Sequence, residues 1–349
     1  ARPLHQMFQL HVLCITLQFC GNSDWKSLMK IAVLLGGTSM ERDVSIASGT
    51  QVIHALRSVG HEVITVESAR GVLVPAEEQE LLVNGINSVP PKKLRDTETW
   101  LPILAEKIQI AEVDLVFLAL HGGWGEDGTI QAVLEKVGLP FTGSNALGSR
   151  LAMDKNVAKQ MFLASEVPTP KWLMAPVTVN AVREQLGFPV IVKPNSEGST
   201  VGLSLVKESI NLQSAITVSS EFDEEVMAEL YISGRELTVG ILDGETLAVG
   251  EIIPAEGDIF DYAAKYQAGA AQEIFPARID QDTEKQIRTV ALLAHQTLKL
   301  GSYSRVDFRM NSEGEIWVLE VNTLPGLSTG SLLPKSAKAM GIDFVQLCE

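Results

Sequence analysis

Tyr303-Ser-Arg-Val-Asp-Phe-Arg-Met310 and Ile316-Trp-Val-Leu-Glu-Val-Asn322, on either side of Asn311-Ser-Glu-Gly314, read as a β-hairpin. Side chains alternate along a strand, so Arg305 shares a face with Asp307, and Glu320 with Asn322. A tight turn over Ser312–Glu313 sets Arg305 opposite Glu320 and Asp307 opposite Trp317 or Val318. Glu320 then lies on the diagonal of Asp307, within about 7–8 Å. The other face, Val306, Phe308, Val318 and Val321, is expected to be core. Two carboxylates and an amide oxygen beside a guanidinium are hard donors that suit Mg²⁺ or Mn²⁺ shared with phosphates. Taken alone, the same residues would equally make an Arg305–Glu320 salt bridge on a solvated face.

Further segments share this character. Lys193-Pro-Asn-Ser-Glu-Gly-Ser-Thr-Val-Gly202 ends a strand in a lysine and turns through Ser and Gly, whose backbone N–H groups can cradle phosphate. It lacks the Walker A spacing, and no G-x-G-x-x-G follows the first strand, so a dinucleotide site is unsupported. Leu120-His-Gly-Gly-Trp-Gly-Glu-Asp-Gly128 leaves a buried strand and enters a helix, the edge where open α/β sheets bind ligands. Gly36-Gly-Thr-Ser-Met-Glu41 is the same edge of the first strand, with Glu41 at a helix N-terminus. Met153-Asp-Lys155 carries no meaning by itself.

Around these segments the pattern is α/β. Strands are expected at 30–35, 61–66, 113–120 and 139–142, with helices at 45–59 and 128–137, giving a largely parallel first sheet. Residues 67–100 are weakly patterned. A helix is expected over 147–165, strands over 188–193, 201–206, 225–230, 236–242 and 245–252, and helices over 209–219 and 282–300. Residues 254–273 have no period, and a loop of that length in a compact domain is usually functional.

The chain has 349 residues, enough for two or three domains with full cores. Lys plus Arg is 28 against Asp plus Glu at 43, a net charge of −15, which argues against nucleic acid as a partner. No run of 18 apolar residues exists, so no membrane partner is expected. Cys14, Cys20 and Cys348 have neither disulfide-framework nor zinc spacing, which fits a reducing compartment. Residues 8–20 are apolar, but with only Arg2 and His5 ahead of them they make a poor secretory signal. The expectation is an upstream extension over 1–28, a native start at Met29 and a truncated end at Glu349.

Together the segments GGTSMERDVS, LHGGWGEDG, MDK, VIVKPNSEGSTVG, SGRELTVGIL, FDYAAKY and EVNTLPGLSTGSLLP, in that order, resemble the D-alanine–D-alanine ligases of the ATP-grasp superfamily. The resemblance runs from Met29 to the end. It implies an α/β chain with a parallel-sheet N-terminal domain (29–143) and two ATP-grasp domains with antiparallel sheets (144–228 and 229–349). ATP would lie between the last two. On the nucleotide side it implies Lys155 and Lys193 on the ATP phosphates, Ser199 in the closing phosphate loop, and Glu197 and the lid residue Lys265 as further nucleotide-binding residues. Glu229, Tyr231, Ile232 and Glu236 would line the adenine and ribose pocket. Leu230 stands where the family often has lysine, which puts one polar contact in doubt. Asp307, Glu320 and Asn322 would hold two Mg²⁺ ions, with Mn²⁺ as a substitute.

On the substrate side the resemblance implies Glu41 for the ammonium of the first D-alanine, with His121 nearby. Ser331 and Leu332 would take the carboxylate of the second. Arg305 and the N–H of Gly326 would stabilise the oxyanion, and Tyr266, on a lid, would reach Ser199 and Glu41. The implied activity is ATP-dependent ligation of two D-alanine molecules through an acyl phosphate, for peptidoglycan precursor synthesis, by a cytoplasmic homodimer. Tyr266 favours D-alanine over D-lactate or D-serine as acceptor. Another ATP-grasp carboxylate–amine ligase would not need Glu41, His121 and Tyr266 together. A nucleotide-binding regulatory protein would not need the complete metal and oxyanion set.

Overall fold

The computed structural model describes residues 28–82, 101–254 and 271–349. The expectations for the extension (1–27) and for Lys265 and Tyr266 lie outside the described residues. Three four- or five-stranded sheets organise the chain.

The first sheet has the order β3-β2-β1-β4. Strands β1 (Lys30–Leu35), β2 (Glu62–Glu67) and β4 (Leu115–Leu118) are parallel, and the short β3 (Gly71–Val72) adds antiparallel at the edge. Ala32 to Leu35 are fully buried, as a run covered on both faces must be. Residues 139–142 contribute a single parallel bridge, Val116 to Phe141, in place of the expected strand. A helix over Leu101–Ile110, which the sequence reading passed over, covers this sheet with Leu101, Leu104 and Ile108. Leu333, Ala337 and Cys348, from the last two helices of the chain, join the same core.

The second sheet is antiparallel with the order β5-β8-β6-β7: β5 (Trp172–Met174), β6 (Val190–Pro194), β7 (Ser204–Val206) and β8 (Val226–Leu230). The loop between β6 and β7 holds the glycine-serine segment.

The third sheet is antiparallel with the order β11-β10-β9-β12-β13: β9 (Arg235–Leu242), β10 (Glu245–Pro254), β11 (Ala271–Ile274), β12 (Tyr303–Met310) and β13 (Ile316–Asn322). Its inner face packs Leu237, Val239, Val306, Phe308 and Val318 against Ile287, Ala291 and Ala294 of the helix Gln281–Thr297. That helix starts at Asp280, whose side chain accepts from Thr283 N.

Two further expectations need correction. The helix over 147–165 is two, Ala146–Met153 and Lys155–Ala164, because Asp154 is extended (ψ 97°) and caps the second by accepting from Val157 N. The hairpin register is also different: Arg305 pairs with Asn322 and Asp307 with Glu320, then a bulge shifts the partners so that Phe308 pairs with Val318. The extra residue lets both Val318 and Val321, three apart, face the core, as the apolar pattern demanded.

Candidate functional site

A cavity of about 560 Å³ opens between the three sheets, and every described candidate residue lines it. Glu41 and His121 come from the first sheet's edge, and Lys155, Lys193, Glu197, Ser199 and Glu229 surround the second. Tyr231, Ile232, Glu236, Arg305, Asp307, Glu320 and Asn322 come from the third sheet and its approach, and Gly326, Ser331 and Leu332 from the segment after β13.

Glu41 occupies the N-cap of the helix Arg42–Ser58, yet its side chain makes no capping bond. It turns into the cavity, where its Oε1 accepts a hydrogen bond from Ser199 Oγ. The first sheet is thereby tied to the glycine-serine loop of the second. Close backbone is needed here: Gly122 has φ +67°, and a Cβ on it would meet Glu41 Oε2 at 2.8 Å. His121, 5% exposed, sits with Nε2 3.1 Å from Ser48 Oγ and Nδ1 3.6 Å from Glu126 Oε1. Burial raises the Glu126 carboxyl, and the charge of Glu41 adds to that, while His121 opposes it. Ser48 Oγ also accepts from Leu327 N at 3.2 Å, linking this histidine to the segment carrying Gly326.

On the second sheet Lys155 Nζ donates to Glu197 O at 2.7 Å and lies 3.4 Å from Glu320 Oε2. The loop bends through left-handed residues at Ser199 and Thr200 (φ 48° and 64°). Glu229, 2% exposed, is held from both sides: Lys159 Nζ is 2.6 Å from Oε1 and Lys193 Nζ is 2.8 Å from Oε2. Burial alone would raise the Glu229 carboxyl, but the two ammonium charges outweigh it and hold the group below its usual range. Burial pushes the Lys159 ammonium down to about 8, with Glu229 opposing and Lys193 adding to the fall. Lys159 was missed in the sequence. Its mark in the sequence is the i, i+4 spacing from Lys155 on one helix face, which points to the same neighbourhood and says nothing of burial.

On the third sheet Asp307 is a hub. Its Oδ1 accepts from Arg305 Nε at 2.9 Å and from Thr238 Oγ1 at 2.7 Å; its Oδ2 accepts from Arg305 Nη2 at 2.7 Å and from Asn322 Nδ2 at 3.0 Å. Arg305 pairs with Asp307, and Glu320 with Lys155, in place of the Arg305–Glu320 salt bridge that was the alternative to a metal site. Among the described residues no group of three or more His, Cys, Asp and Glu side chains is arranged to hold a metal. The donor set here is instead two carboxylates directly opposed across the ladder plus an amide two pairs further along, on the same face. These hard oxygens on a cavity wall fit a magnesium-type ion, since turning the Asn322 amide over presents its oxygen in place of Nδ2.

At the far end, Ser331 occupies the N-cap position of the helix Leu332–Ala339 without a side-chain capping bond, and its Oγ accepts from Ser328 N at 3.2 Å. A Cβ on Gly326 would meet that Oγ at 2.8 Å, so any larger residue there would displace the Ser331 hydroxyl. Lys335, on the same helix face as Ser331, pairs with Glu273 at the cavity wall.

Two antiparallel sheets gripping a lysine-lined cavity, with a glycine-serine loop above it and opposed carboxylates below it, define an ATP-grasp ligase. The D-ala D-ala ligase N-terminus family matches residues 30–144, and the D-ala D-ala ligase C-terminus family matches residues 157–349. A D-alanine–D-alanine ligase of Synechococcus sp. (strain JA-3-3Ab) is 38% identical over 325 residues, 92% of each chain. That of Geobacter sulfurreducens is 39% identical over 323 residues, again 92% of each. Among solved structures, the Bacillus anthracis D-alanine–D-alanine ligase complexed with ATP superposes with a TM-score of 0.73 at 32% identity, covering 91% of this chain and 94% of that one. The VanG D-Ala:D-Ser ligase of Enterococcus faecalis gives 0.75 at 29% identity, covering 92% and 98%. The chain belongs to the D-alanine–D-alanine ligase family.

Proposed function

We propose that this chain joins two D-alanine molecules into D-alanyl-D-alanine with ATP, through an acyl phosphate, supplying a precursor of peptidoglycan. The observation that carries this is the convergence of all the described candidate residues on one cavity, closed by the Ser199–Glu41 hydrogen bond between two sheets.

The charges explain the chemistry. A carboxylate is a poor electrophile, and a polyphosphate repels it. Lys155 and Lys193 bring two cations to the phosphate side of the cavity. Asp307, Glu320 and Asn322 would hold Mg²⁺, which supplies further neutralisation of phosphate charge when bound. Glu41 receives the ammonium of the first D-alanine and so aims its carboxylate away, towards the γ-phosphorus. That carboxylate oxygen bonds to phosphorus as the bond to the β-phosphate oxygen breaks, and ADP leaves. The amine of the second D-alanine, its ammonium having given one proton to solvent, attacks the acyl carbon, and the nitrogen gives up a second proton to solvent as the amide forms. The Arg305 guanidinium, fixed edge-on by Asp307, and the N–H of Gly326 face the oxyanion that forms. The carbon–oxygen bond to phosphate then breaks, and dipeptide and phosphate remain. Ser331 and Leu332, at a helix N-terminus, hold the second carboxylate.

The adenine side is assigned to Glu229, Tyr231, Ile232 and Glu236, and the phosphate loop to Glu197 and Ser199. Lys265 and Tyr266 belong to the lid in this reading. The domain limits proposed are 29–143, 144–228 and 229–349, and the assembly is a cytoplasmic homodimer. Among the described residues no helix is long and apolar enough to cross a membrane. D-alanine is the acceptor in this reading, and the D-Ala:D-Ser relative makes D-serine the necessary control. The test is product mass after incubation with ATP, Mg²⁺ and D-alanine, alone and with D-serine or D-lactate. A dipeptide of D-alanine supports the reading. A product only with D-serine or D-lactate would move the acceptor assignment.

A further inference from the structure

Lys159 lies behind the cavity wall. Its exposure is 0%, whereas Lys193 and Glu229 in front of it line the cavity. The lysine is fixed there. Its Nζ donates to Glu229 Oε1 and to Thr169 Oγ1, each at 2.6 Å, and lies 5.0 Å from the centre of the Trp172 ring. Thr169 Oγ1 in turn donates to Val318 O at 2.9 Å, so the anchor reaches from the second sheet to the third. Lys159 therefore does not reach a ligand in the cavity.

The charges across the wall run positive, negative, positive: Lys159, Glu229, Lys193. Lys193 is bonded to Glu229 Oε2. To meet a phosphate, its ammonium has to weaken or leave that bond. With no other cation on Glu229, the departure would strand a carboxylate at 2% exposure, which is strongly unfavourable. With Lys159 on the other oxygen, Glu229 keeps a counter-ion whichever way Lys193 turns. The three groups also carry a net positive charge, in a chain of net −15, at the wall facing a polyanion.

We infer that Lys159 is a positioning residue: it holds Glu229 charged and in place so that Lys193 is released to the phosphates of ATP. The inference rests on the reading of Lys193 as a phosphate ligand given above.

The test is calorimetric binding of ATP, ADP and adenosine to the full chain and to Lys159→Met and Lys159→Gln. Methionine fills the same volume without charge. Glutamine keeps a hydrogen bond to Glu229 and Thr169, also without charge. Thermal melts establish that each variant is folded, and either folded variant suffices. The expected result is a loss of roughly tenfold or more in affinity for ATP and ADP in both variants, with adenosine changed less than about threefold. A KM for ATP raised by a similar factor, with the KM values for D-alanine little changed, would agree.

Three results overturn the inference. Equal loss for adenosine would mean that Lys159 only shapes the adenine pocket. Full ATP affinity in Lys159→Gln would mean that its hydrogen bonds matter and its charge does not. Unchanged ATP affinity in both variants would mean that Lys193 needs no help. A parent chain that binds ATP no more tightly than adenosine would sink the phosphate reading of the cavity itself, and this inference with it.

Discussion

Asn195 carries no assigned chemistry, yet it ties the two phosphate-facing segments together. It is fully buried where β6 enters the glycine-serine loop. Its Nδ2 donates to Asp154 Oδ1 at 2.9 Å and to Glu225 Oε2 at 3.1 Å, and its Oδ1 accepts from Asn156 N at 2.9 Å. Its main chain adds a bond to Glu225 O at 2.9 Å and accepts from Lys155 N at 3.3 Å. Asn195→Ala removes these three bonds, together with a longer one from Nδ2 to Ser196 Oγ at 3.4 Å, and keeps the main-chain ones. Asp154 still accepts from Val157 N, so only part of the loss is unsatisfied. At about 1–3 kcal/mol per buried group left without its partner, a cost of roughly 2–4 kcal/mol is expected. At about 2–4 °C per kcal/mol for units of this size, the melt should move down by several degrees. Asn195→Asp should be worse than alanine, although it is closer in shape: it places a carboxylate against Asp154 and Glu225 and loses the donor that bound them. The assay is a thermal melt together with the KM for ATP, which should rise in both variants because the helix of Lys155 and the loop of Ser199 lose their common anchor. A melt unchanged in Asn195→Ala, or aspartate tolerated better than alanine, would refute this reasoning.

Arg305→Ala should lower kcat by at least about 10²–10³, the usual effect of removing one oxyanion donor, while the chain stays folded; unchanged turnover would contradict the role. Gly326→Ala puts a Cβ 2.8 Å from Ser331 Oγ and should raise the KM for the acceptor D-alanine more than that for the donor, as measured by initial rates at saturating ATP. Stability should fall in acid. The folded-state pKa of Glu229 lies below the ordinary 4.5, so the unfolded chain takes the proton first, and the contribution, complete above that value, is lost as pH falls through the folded one. Glu229→Gln should flatten the fall of the urea midpoint over that range, and an unchanged slope would count against the buried pairing.

Much of the fold follows from local pattern. The run Lys30–Leu35, buried on both faces, shows as an unbroken apolar stretch, while the helix ending before Gly60 and the alternation in β12 and β13 show because burial on one side imposes a period. The register of the hairpin does not, since one bulged residue slips every pair beyond it. Asp154 was hidden for a different reason: an N-cap inside an apolar pattern looks like any polar helix residue until the backbone turns extended there. The short β5 and the helix Val179–Gln185 are too brief to set up a period of their own.

At the site, the motifs that fall on described residues meet at one cavity because Glu41, Lys155 and Leu332 stand where helices open, and Lys193 and Asn322 where strands end, at the same rim. What sequence could not supply was partnership. Glu41 bonds Ser199 across 158 positions of chain, and Lys159 bonds Glu229 across 70. A lysine in an amphipathic helix is expected at the surface, so nothing marked Lys159 as buried. The guanidinium of Arg305 chose Asp307, two residues away on its own strand, because the bulged register set Asn322 and not Glu320 opposite it.

The most direct measurement is phosphate release from ATP and Mg²⁺ by the full chain, with and without D-alanine, with the product weighed by mass spectrometry. Release that requires D-alanine and yields D-alanyl-D-alanine is the predicted result. ATP turnover indifferent to D-alanine, or none with D-alanine, D-serine or D-lactate, would contradict the assignment of this cavity to dipeptide ligation.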